Sequence, residues 1–545
     1  MKIALAQLNY HIGNFDFNTE KIIEVLTEQK KLGTHLVVFA ELCVCGYPPR
    51  DFLEYPSFVD MCDEAVQKIT LATQGIACII GSPAKNSVPE GKDLFNAAYF
   101  IDNGKIRATV KKALLPTYDV FDEYRYFEPA KGFECVDFMG YKIALTVCED
   151  LWNFGDNPLY TICPMDELIK QQPHLMINIA ASPFNYNQQK TRKTVLQHNC
   201  EKYNLPLFYL NHVGAQTELI FDGGSMVLDK TGKTLAQLNY FEEQVAVFDF
   251  ENMGLAFADI TETQATHTEQ IYHALVLGIK DYFQKSGFSK ATLGLSGGID
   301  SALVCALAAD ALGADNVLAV LMPSQYSSNH SIKDAEDLVK NLGCRSITLP
   351  IASITQTFED ILKPTFNNIP PNIAEENIQA RTRGVLLMAI TNKLGYVLLN
   401  TSNKSETAVG YGTLYGDMCG AIAVIGDCYK TQVYQLCDFI NRENEIIPQN
   451  TITKAPSAEL RPNQKDSDSL PDYDLLDKVL FHYIEETKSA KEIMALGYPD
   501  VTVSRILNLV NNAEFKRYQT PPILRVSPKA FGMGRRMPIV CKYVV

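Results

Sequence analysis

No apolar run in the 545 residues approaches the ~20 needed to cross a bilayer, so a helical membrane span is not expected. The opening stretch MKIALAQLNYHIG is too short and too polar for a signal peptide and reads as a first strand. The 14 cysteines form no CxxC and no paired Cys/His cluster, which argues against a structural zinc site. Several sit inside apolar segments, such as Cys78 in IACIIG and Cys305 in ALVCALA. That usage points to a reducing compartment, hence the cytoplasm. Positive charge is also in short supply, with 49 basic against 63 acidic side chains and a net charge of −14. Such a chain has no general pull on nucleic acid or an anionic membrane, although a local basic site for a phosphorylated small molecule remains open. There is no short-period repeat and no low-complexity stretch.

A composition of 46% hydrophobic and 21% charged residues describes a globular protein, and the length suggests two or three domains. Two styles of segment meet near residues 250–265. The first half carries β-rich runs, among them KIALAQL (2–8), HLVVFAE (35–41), KIALTVC (142–148), HLMINIAAS (174–182) and LFYLNHV (207–213). A helical stretch, NTEKIIEVLTEQKKLG (18–33), lies between two of them, and the whole suggests a layered α/β domain with a mixed sheet. The second half alternates regularly, with strands at ATLGL, NVLAVLM, CRSITLP and YVLLNTS and helices between them. That order predicts a doubly wound parallel sheet.

The stretch TLGLSGGIDS (292–301) ends a strand and opens a helix, the place where ligands sit in such sheets. Gly297 and Gly298 permit close backbone approach. Ser296, Ser301 and the amides of the helix start can hold an anion. Asp300 would repel a phosphate unless magnesium lies between them, so the loop fits a magnesium–polyphosphate complex. The plainer alternative is a glycine turn with a serine cap, which the strand–SGGxDS–helix context disfavours. The kinase-type GxxxxGK[ST] loop is absent. TSNKSE (401–406) follows another strand. There Glu406 is a candidate second magnesium carboxylate and Thr401 a candidate nucleotide contact, while Lys430 in GDCYKTQVY can meet phosphate as a point charge.

In the first half, Cys148, Glu41 and Lys112 each close a strand-like run. A buried structural cysteine is the commonplace reading, but three reactive side chains at three strand ends can converge on one pocket. A lysine beside a cysteine favours thiolate, and a glutamate can relay its proton. Two other glutaminase designs fit less well. His267-Thr-Glu269 mimics a His-x-Glu pair, but no GxCxG elbow presents a cysteine, and residue 2 is Lys2 rather than an N-terminal cysteine.

FAELCVCGYPPRD, KKALLPTYDVFDEYRYF and ALTVCEDLW resemble the nitrilase, or carbon–nitrogen hydrolase, family. The resemblance implies an α-β-β-α sandwich over residues 1–255 that attacks an amide, forms a thioester and releases ammonia. Carried over by motif, Glu41 is the general base, Lys112 supports the intermediate and Cys148 is the nucleophile, with Glu123 assisting. Tyr118, Ser182 and Lys190 become glutamine-binding positions. In SPFNYNQQK the family's Gly-Lys after Ser-Pro is missing and the spacing is longer, which bears on Lys190. Leu114 stands where many relatives carry histidine.

SGGxDS resembles the pyrophosphate-binding loop of the ATP pyrophosphatases, which cut ATP between its α and β phosphates and adenylate a substrate. An ammonia-releasing domain joined to an adenylating one implies amide synthesis. End to end, the chain is similar to the glutamine-dependent NAD synthetase family, most specifically in GLSGGIDSALV, EENIQARTRG, TSNKSETAVGYGTLYGDMCG, KAPSAELRPNQKDSDSLPDYDLLD and GRRMPI. The resemblance implies that residues 256–545 form a Rossmann-like ATP pyrophosphatase domain acting on deamido-NAD. It gives the ATP side to Gly294, Leu295, Ser296, Gly297, Gly298, Ile299, Asp300, Ser301 and Thr401. Deamido-NAD falls to Asn377, Glu406, Tyr411, Gly412, Thr413, Leu414 and Lys529, with Arg381 beside them. Magnesium falls to Asp300 and Glu406, so Glu406 is claimed twice. Family analogy also implies a homo-oligomer.

Overall fold

The computed structural model describes residues 1–155, 158–252, 265–367, 369–462 and 464–542. The chain divides into two compact units, Met1–Gln264 and Ala265–Val545. The domain boundary expected at 255/256 lies outside the described residues.

The first unit holds two six-stranded sheets with the same plan. One places Lys2–Gln7, Leu36–Val38 and Ala77–Lys85 side by side in parallel. Gln244–Asp249 flanks them antiparallel on one side, and Leu94–Asp102 and Lys105–Lys111 on the other. The second repeats this with Tyr141–Val147, Leu175–Ala180 and Leu207–Asn211 parallel at its centre. The sheets face each other, and the helices Phe15–Lys31 and Pro56–Ala72 cover the first while Gln188–Tyr203 covers the second. The architecture is an α-β-β-α sandwich. Central strands therefore meet apolar partners on both faces, which is why Leu36–Val38 is an uninterrupted apolar run and Leu175–Ala180, apolar but for Asn178, is likewise buried at every position. The helix Phe15–Lys31 is one-sided: Phe15, Ile22 and Leu26 face inward, and the side chain of Asn14 accepts from the Phe17 amide to cap its start.

The second unit is built on five parallel strands in the spatial order Arg345–Thr348, Val317–Leu321, Ala291–Gly294, Val397–Asn400, Ile422–Ala423. The chain winds outward from Ala291–Gly294 and then jumps back to its other side at Val397–Asn400. The carboxyl ends of those two strands form the switch point where such sheets bind ligands. The helix Ile299–Leu312 leaves directly from this point, and ten of its 14 residues are buried.

Two sequence expectations shift. The run HLVVFAE forms a strand only at Leu36–Val38, so Glu41 lies three residues beyond on a turn. LFYLNHV breaks after Asn211, and Val213–Gln216 starts a hairpin with Leu219–Asp222. The strand Lys105–Lys111, exposed along much of its length, lacks the apolar run that marks its neighbours. Among the described residues no helix is long and apolar enough to cross a membrane.

Candidate active sites

In the first unit Lys112 follows immediately on the strand Lys105–Lys111 and is completely buried. Its Nζ donates to Glu41 Oε1 at 2.7 Å and to both oxygens of Glu123 at 2.8 Å. Asn96 supports the same two carboxylates, donating to Glu41 at 2.7 Å and to Glu123 at 3.3 Å. The Tyr47 hydroxyl adds a bond to Glu123 at 2.9 Å, and the Ala181 amide donates to Glu41 Oε2 at 3.0 Å. Burial opposes the charge on Lys112, but Glu123 and Glu41 outweigh it and hold its pKa well above the usual lysine range. Burial pushes the Glu123 carboxyl up to about 7 against the pull of Lys112.

The turn carrying Glu41 lies directly on the next strand. A Cβ placed on Gly81 would fall 2.2 Å from the Leu42 nitrogen and 2.6 Å from the Ala40 oxygen. Only glycine permits that backbone approach.

Cys148 starts the short turn Cys148–Leu151 right after the strand Tyr141–Val147. Its φ is +44°, a left-handed conformation that costs about 1 kcal/mol for a residue with a Cβ. Asp150 secures the turn. Its Oδ2 accepts from the Val147 amide at 3.1 Å, and its Oδ1 from the amides of Ala113 and Leu114 at 2.9 and 3.0 Å. One buried carboxylate thus locks the backbone before the cysteine to the backbone just after Lys112. Burial pushes the Cys148 thiol up, Glu41 adds to that, and Lys112 offsets part of it. The resting group is therefore a thiol. Beside it, Glu149 accepts from the hydroxyls of Tyr118 at 2.8 Å and Tyr160 at 3.0 Å. Tyr118 is 41% exposed, as suits the mouth of a pocket. Ser182 is buried and held by Asn211, with the Arg192–Asp222 ion pair behind it at 2.8 Å. Lys190 is exposed in the first turn of the helix Gln188–Tyr203.

In the second unit the loop after Ala291–Gly294 opens into a cavity of about 660 Å³. All of Gly294 to Ser301 except Gly297 lines it, together with Thr401, Glu406, Tyr411 and Lys430. Gly297 has φ +82°, and a Cβ there would lie 2.1 Å from the Ser331 carbonyl oxygen. Ser296 and Ser301 share a hydroxyl contact of 3.1 Å, and Ser296 Oγ also accepts from the Gly298 amide at 3.1 Å. Asp300 and Glu406 both reach the Lys430 ammonium, Asp300 in direct contact and Glu406 at 3.6 Å. Asn403 joins them: its amide donates to Asp300 at 2.8 Å, while its Oδ1 caps the helix Lys404–Val409 by accepting from the Glu406 amide at 2.9 Å. Burial, then Asp300, pushes Glu406 up to about 8. For Lys430 burial is outweighed by Asp300 and Glu406, so its pKa rises. Two hard carboxylates converging on one cation suit magnesium, whose remaining positions phosphate and water can fill. Among the described residues no group of three or more His, Cys, Asp or Glu is assembled for a metal.

Some positions assigned to the second substrate touch one another. Thr413 Oγ1 donates to Asn377 Oδ1 at 2.8 Å, and Arg381 Nε to the Leu414 carbonyl at 3.2 Å. Asn377 and Arg381 sit one turn apart on the helix Ile373–Leu394. Gly412 borders a small recess beside Glu406 and Tyr411. Of these positions only Glu406 and Tyr411 line the large cavity; Asn377, Arg381, Gly412, Thr413, Leu414 and Lys529 do not, and the Lys529 carbonyl accepts from buried Lys404 at 3.0 Å.

Two family models match the chain, Carbon-nitrogen hydrolase over residues 2–256 and NAD synthase over residues 271–520. The chain is 46% identical over 546 residues to the glutamine-dependent NAD(+) synthetase of Synechocystis sp., covering 98% of each. This chain belongs to the glutamine-dependent NAD(+) synthetase family. It is also 38% identical over 580 residues to the synthetase of Thermotoga maritima, covering 100% of this chain and 99% of that one. Among solved structures it is similar to the Acinetobacter baumannii enzyme of the family in complex with ADP. There the TM-score is 0.78 at 36% identity, over 99% of this chain and 98% of that one.

Sequence reasoning missed several members of the synthetase's two sites. Asp150 stood next to the nucleophile in VCEDLW, but only the fold reveals that it reaches Ala113 and Leu114. Asn96 carried no signal, being a single polar residue in an apolar run, and Tyr47 lay inside FAELCVCGYPPRD without a role of its own. Asn403 was legible in part, because N-x-x-E before a helix is a capping pattern. Its second bond to Asp300, a residue about a hundred positions earlier, was not.

Proposed function

We propose that the first unit hydrolyses glutamine and that the second uses the ammonia and ATP to amidate deamido-NAD. In the first step Glu41 takes the proton of the Cys148 thiol as sulfur attacks the amide carbon. Because the resting group is a thiol, deprotonation and attack belong to one event. The fixed positive charge of Lys112 stabilises the oxyanion of the tetrahedral intermediate. Glu41 then hands its proton to the departing nitrogen, and water hydrolyses the thioester by the same route in reverse. Glu123 and Asn96 hold Lys112 and Glu41 in register. Tyr118, Ser182 and Lys190 recognise glutamine, Lys190 from the rim.

In the second unit the glycines, hydroxyls and helix-start amides of Gly294–Ser301 cradle the β and γ phosphates, and Thr401 contacts the nucleotide. Asp300 and Glu406 would hold magnesium, which supplies charge neutralisation of the leaving diphosphate. Lys430 meets phosphate. The nicotinate carboxylate of deamido-NAD, held through Asn377, Arg381, Tyr411, Gly412, Thr413, Leu414 and Lys529, attacks the α phosphorus. Ammonia then displaces AMP and leaves NAD. Family analogy supports assembly into a homo-oligomer, and 14 free thiols support a cytoplasmic setting.

The observation that carries this reading is the single buried ammonium of Lys112 shared by Glu41 and Glu123 beside the Cys148 turn. The test supplies ATP, magnesium, deamido-NAD and either glutamine or ammonium, and measures AMP and NAD by chromatography. NAD forms with both nitrogen sources. Its absence with both refutes the reading.

A further inference from the structure

The Lys430 ammonium sits between the two carboxylates assigned to magnesium, and three observations define its place. Its side chain is 2% exposed and touches both Asp300 and Glu406. Its backbone is fixed, because its amide donates to Ser405 Oγ at 2.9 Å at the start of the helix Lys430–Ile440. Its Nζ also lies 5.3 Å from the centre of the Tyr473 ring, an aromatic face that tolerates a cation. The root of the side chain is thus fixed, and an aromatic face flanks its ammonium. Other charges around the pair are Asp466, held by the hydroxyls of Tyr411 and Tyr473, and Asp477, which accepts from the Ser405 hydroxyl and from the Thr431 amide at 2.9 Å.

We propose that Lys430 is the resident counter-cation of Asp300 and Glu406, exchanged for the metal only when the nucleotide arrives to receive its ammonium. This rests on the assignment of magnesium to those two carboxylates. The physical argument is a comparison of two cases. A metal ion arriving alone must push out the ammonium and leave a lysine buried and unpaired, which is strongly unfavourable. Magnesium also sheds its water reluctantly, so two carboxylates offer it little. A metal arriving with ATP brings phosphate oxygens that pair with the displaced lysine. Lys430 thus couples the metal to the nucleotide, and by linkage each strengthens the other through it. It acts on the metal through the carboxylates, as a positioning residue.

The test is manganese binding to the full chain without nucleotide, read as loss of the free-ion electron paramagnetic resonance signal. The wild type binds manganese weakly. Lys430→Met and Lys430→Gln bind it about tenfold more tightly or better, because the carboxylates have lost their cation. Lys430→Arg stays weak, because it keeps the charge. Adding Asp300→Asn to Lys430→Gln removes the gain. Unchanged or weaker binding in both neutral variants overturns the exchange. So does tight binding by the arginine variant. A separate arm adds a non-hydrolysable ATP analogue to the wild type and to Asp300→Asn. If Asp300→Asn leaves manganese binding unchanged there, the metal assignment itself fails; if binding drops there while the Lys430 variants show no gain, only the exchange fails.

Discussion

Replacing Lys112 with methionine gives the sharpest test of the electrostatics of the amidase site. The ammonium contacts two carboxylates, Glu41 and Glu123, that are almost fully buried. Removing one partner of a buried ionic group destabilises by about 3–5 kcal/mol. For a unit of this size that lowers the unfolding midpoint by roughly 6–20 °C. The pH dependence gives a second handle. Glu123 is already raised to about 7 by burial. A carboxyl with a raised folded pKa takes up a proton on folding. Its contribution is therefore lost as pH rises from the unfolded value toward the folded one. In the wild type that loss is complete a little above pH 7. Without Lys112 the folded pKa climbs further, so the loss continues at higher pH. Calorimetry of the full chain at pH 6 and pH 8.5 will show a deficit relative to wild type that is larger at pH 8.5. A deficit under about 2 °C, or one larger at pH 6, refutes the reasoning.

Other outcomes are expected alongside. Cys148→Ala abolishes NAD formation from glutamine and leaves formation from ammonium within about twofold of wild type; loss of both would show that the labour is divided differently. Gly297→Ala forces a Cβ onto the Ser331 carbonyl and strains a left-handed residue by about 1–3 kcal/mol. Its KM for ATP rises with either nitrogen source, and an unchanged KM argues against the cradle. Asp150→Asn keeps the shape but replaces one accepting oxygen of the clasp between the Cys148 and Lys112 turns. It lowers kcat with glutamine more than it raises KM, whereas an effect on KM alone would place Asp150 in substrate binding. Asn403→Ala removes a helix cap worth about 1 kcal/mol and the bond to Asp300. It weakens manganese binding in the presence of a non-hydrolysable ATP analogue, and unaltered binding would sever Asn403 from the metal carboxylates.

The doubly wound sheet was readable because its central strands Ala291–Gly294, Val317–Leu321 and Val397–Asn400 lie in short apolar runs separated by helix-length segments, and that alternation points to a parallel sheet. The SGGIDS loop was readable for the same reason: its meaning lies in its position between a strand and a helix, and both neighbours are local. The strand Lys105–Lys111 was harder, since exposed positions leave it without an apolar run. Cys148, Glu41 and Lys112 each lay close to a strand end, but their meeting depends on the pairing of two sheets and on Asp150 reaching across 36 and 37 positions. Contacts of that range leave no periodicity in a sequence. Motif resemblance supplied them instead, and the hydrogen bonds now explain why those residue types stand there. At Lys190 the altered spacing has a visible counterpart: the lysine is exposed on its helix.

The contact at Gly81 has a consequence for anyone redesigning the amidase. The main chain on either side of Glu41 is seated on the adjoining strand with no room for a methyl group. The base is thus anchored by the scaffold itself, and altering which amides are accepted has to proceed from elsewhere, such as Tyr118 and Tyr160 around Glu149. A single added carbon at position 81 would instead switch off glutamine use from beneath, leaving a catalyst fed by ammonia alone.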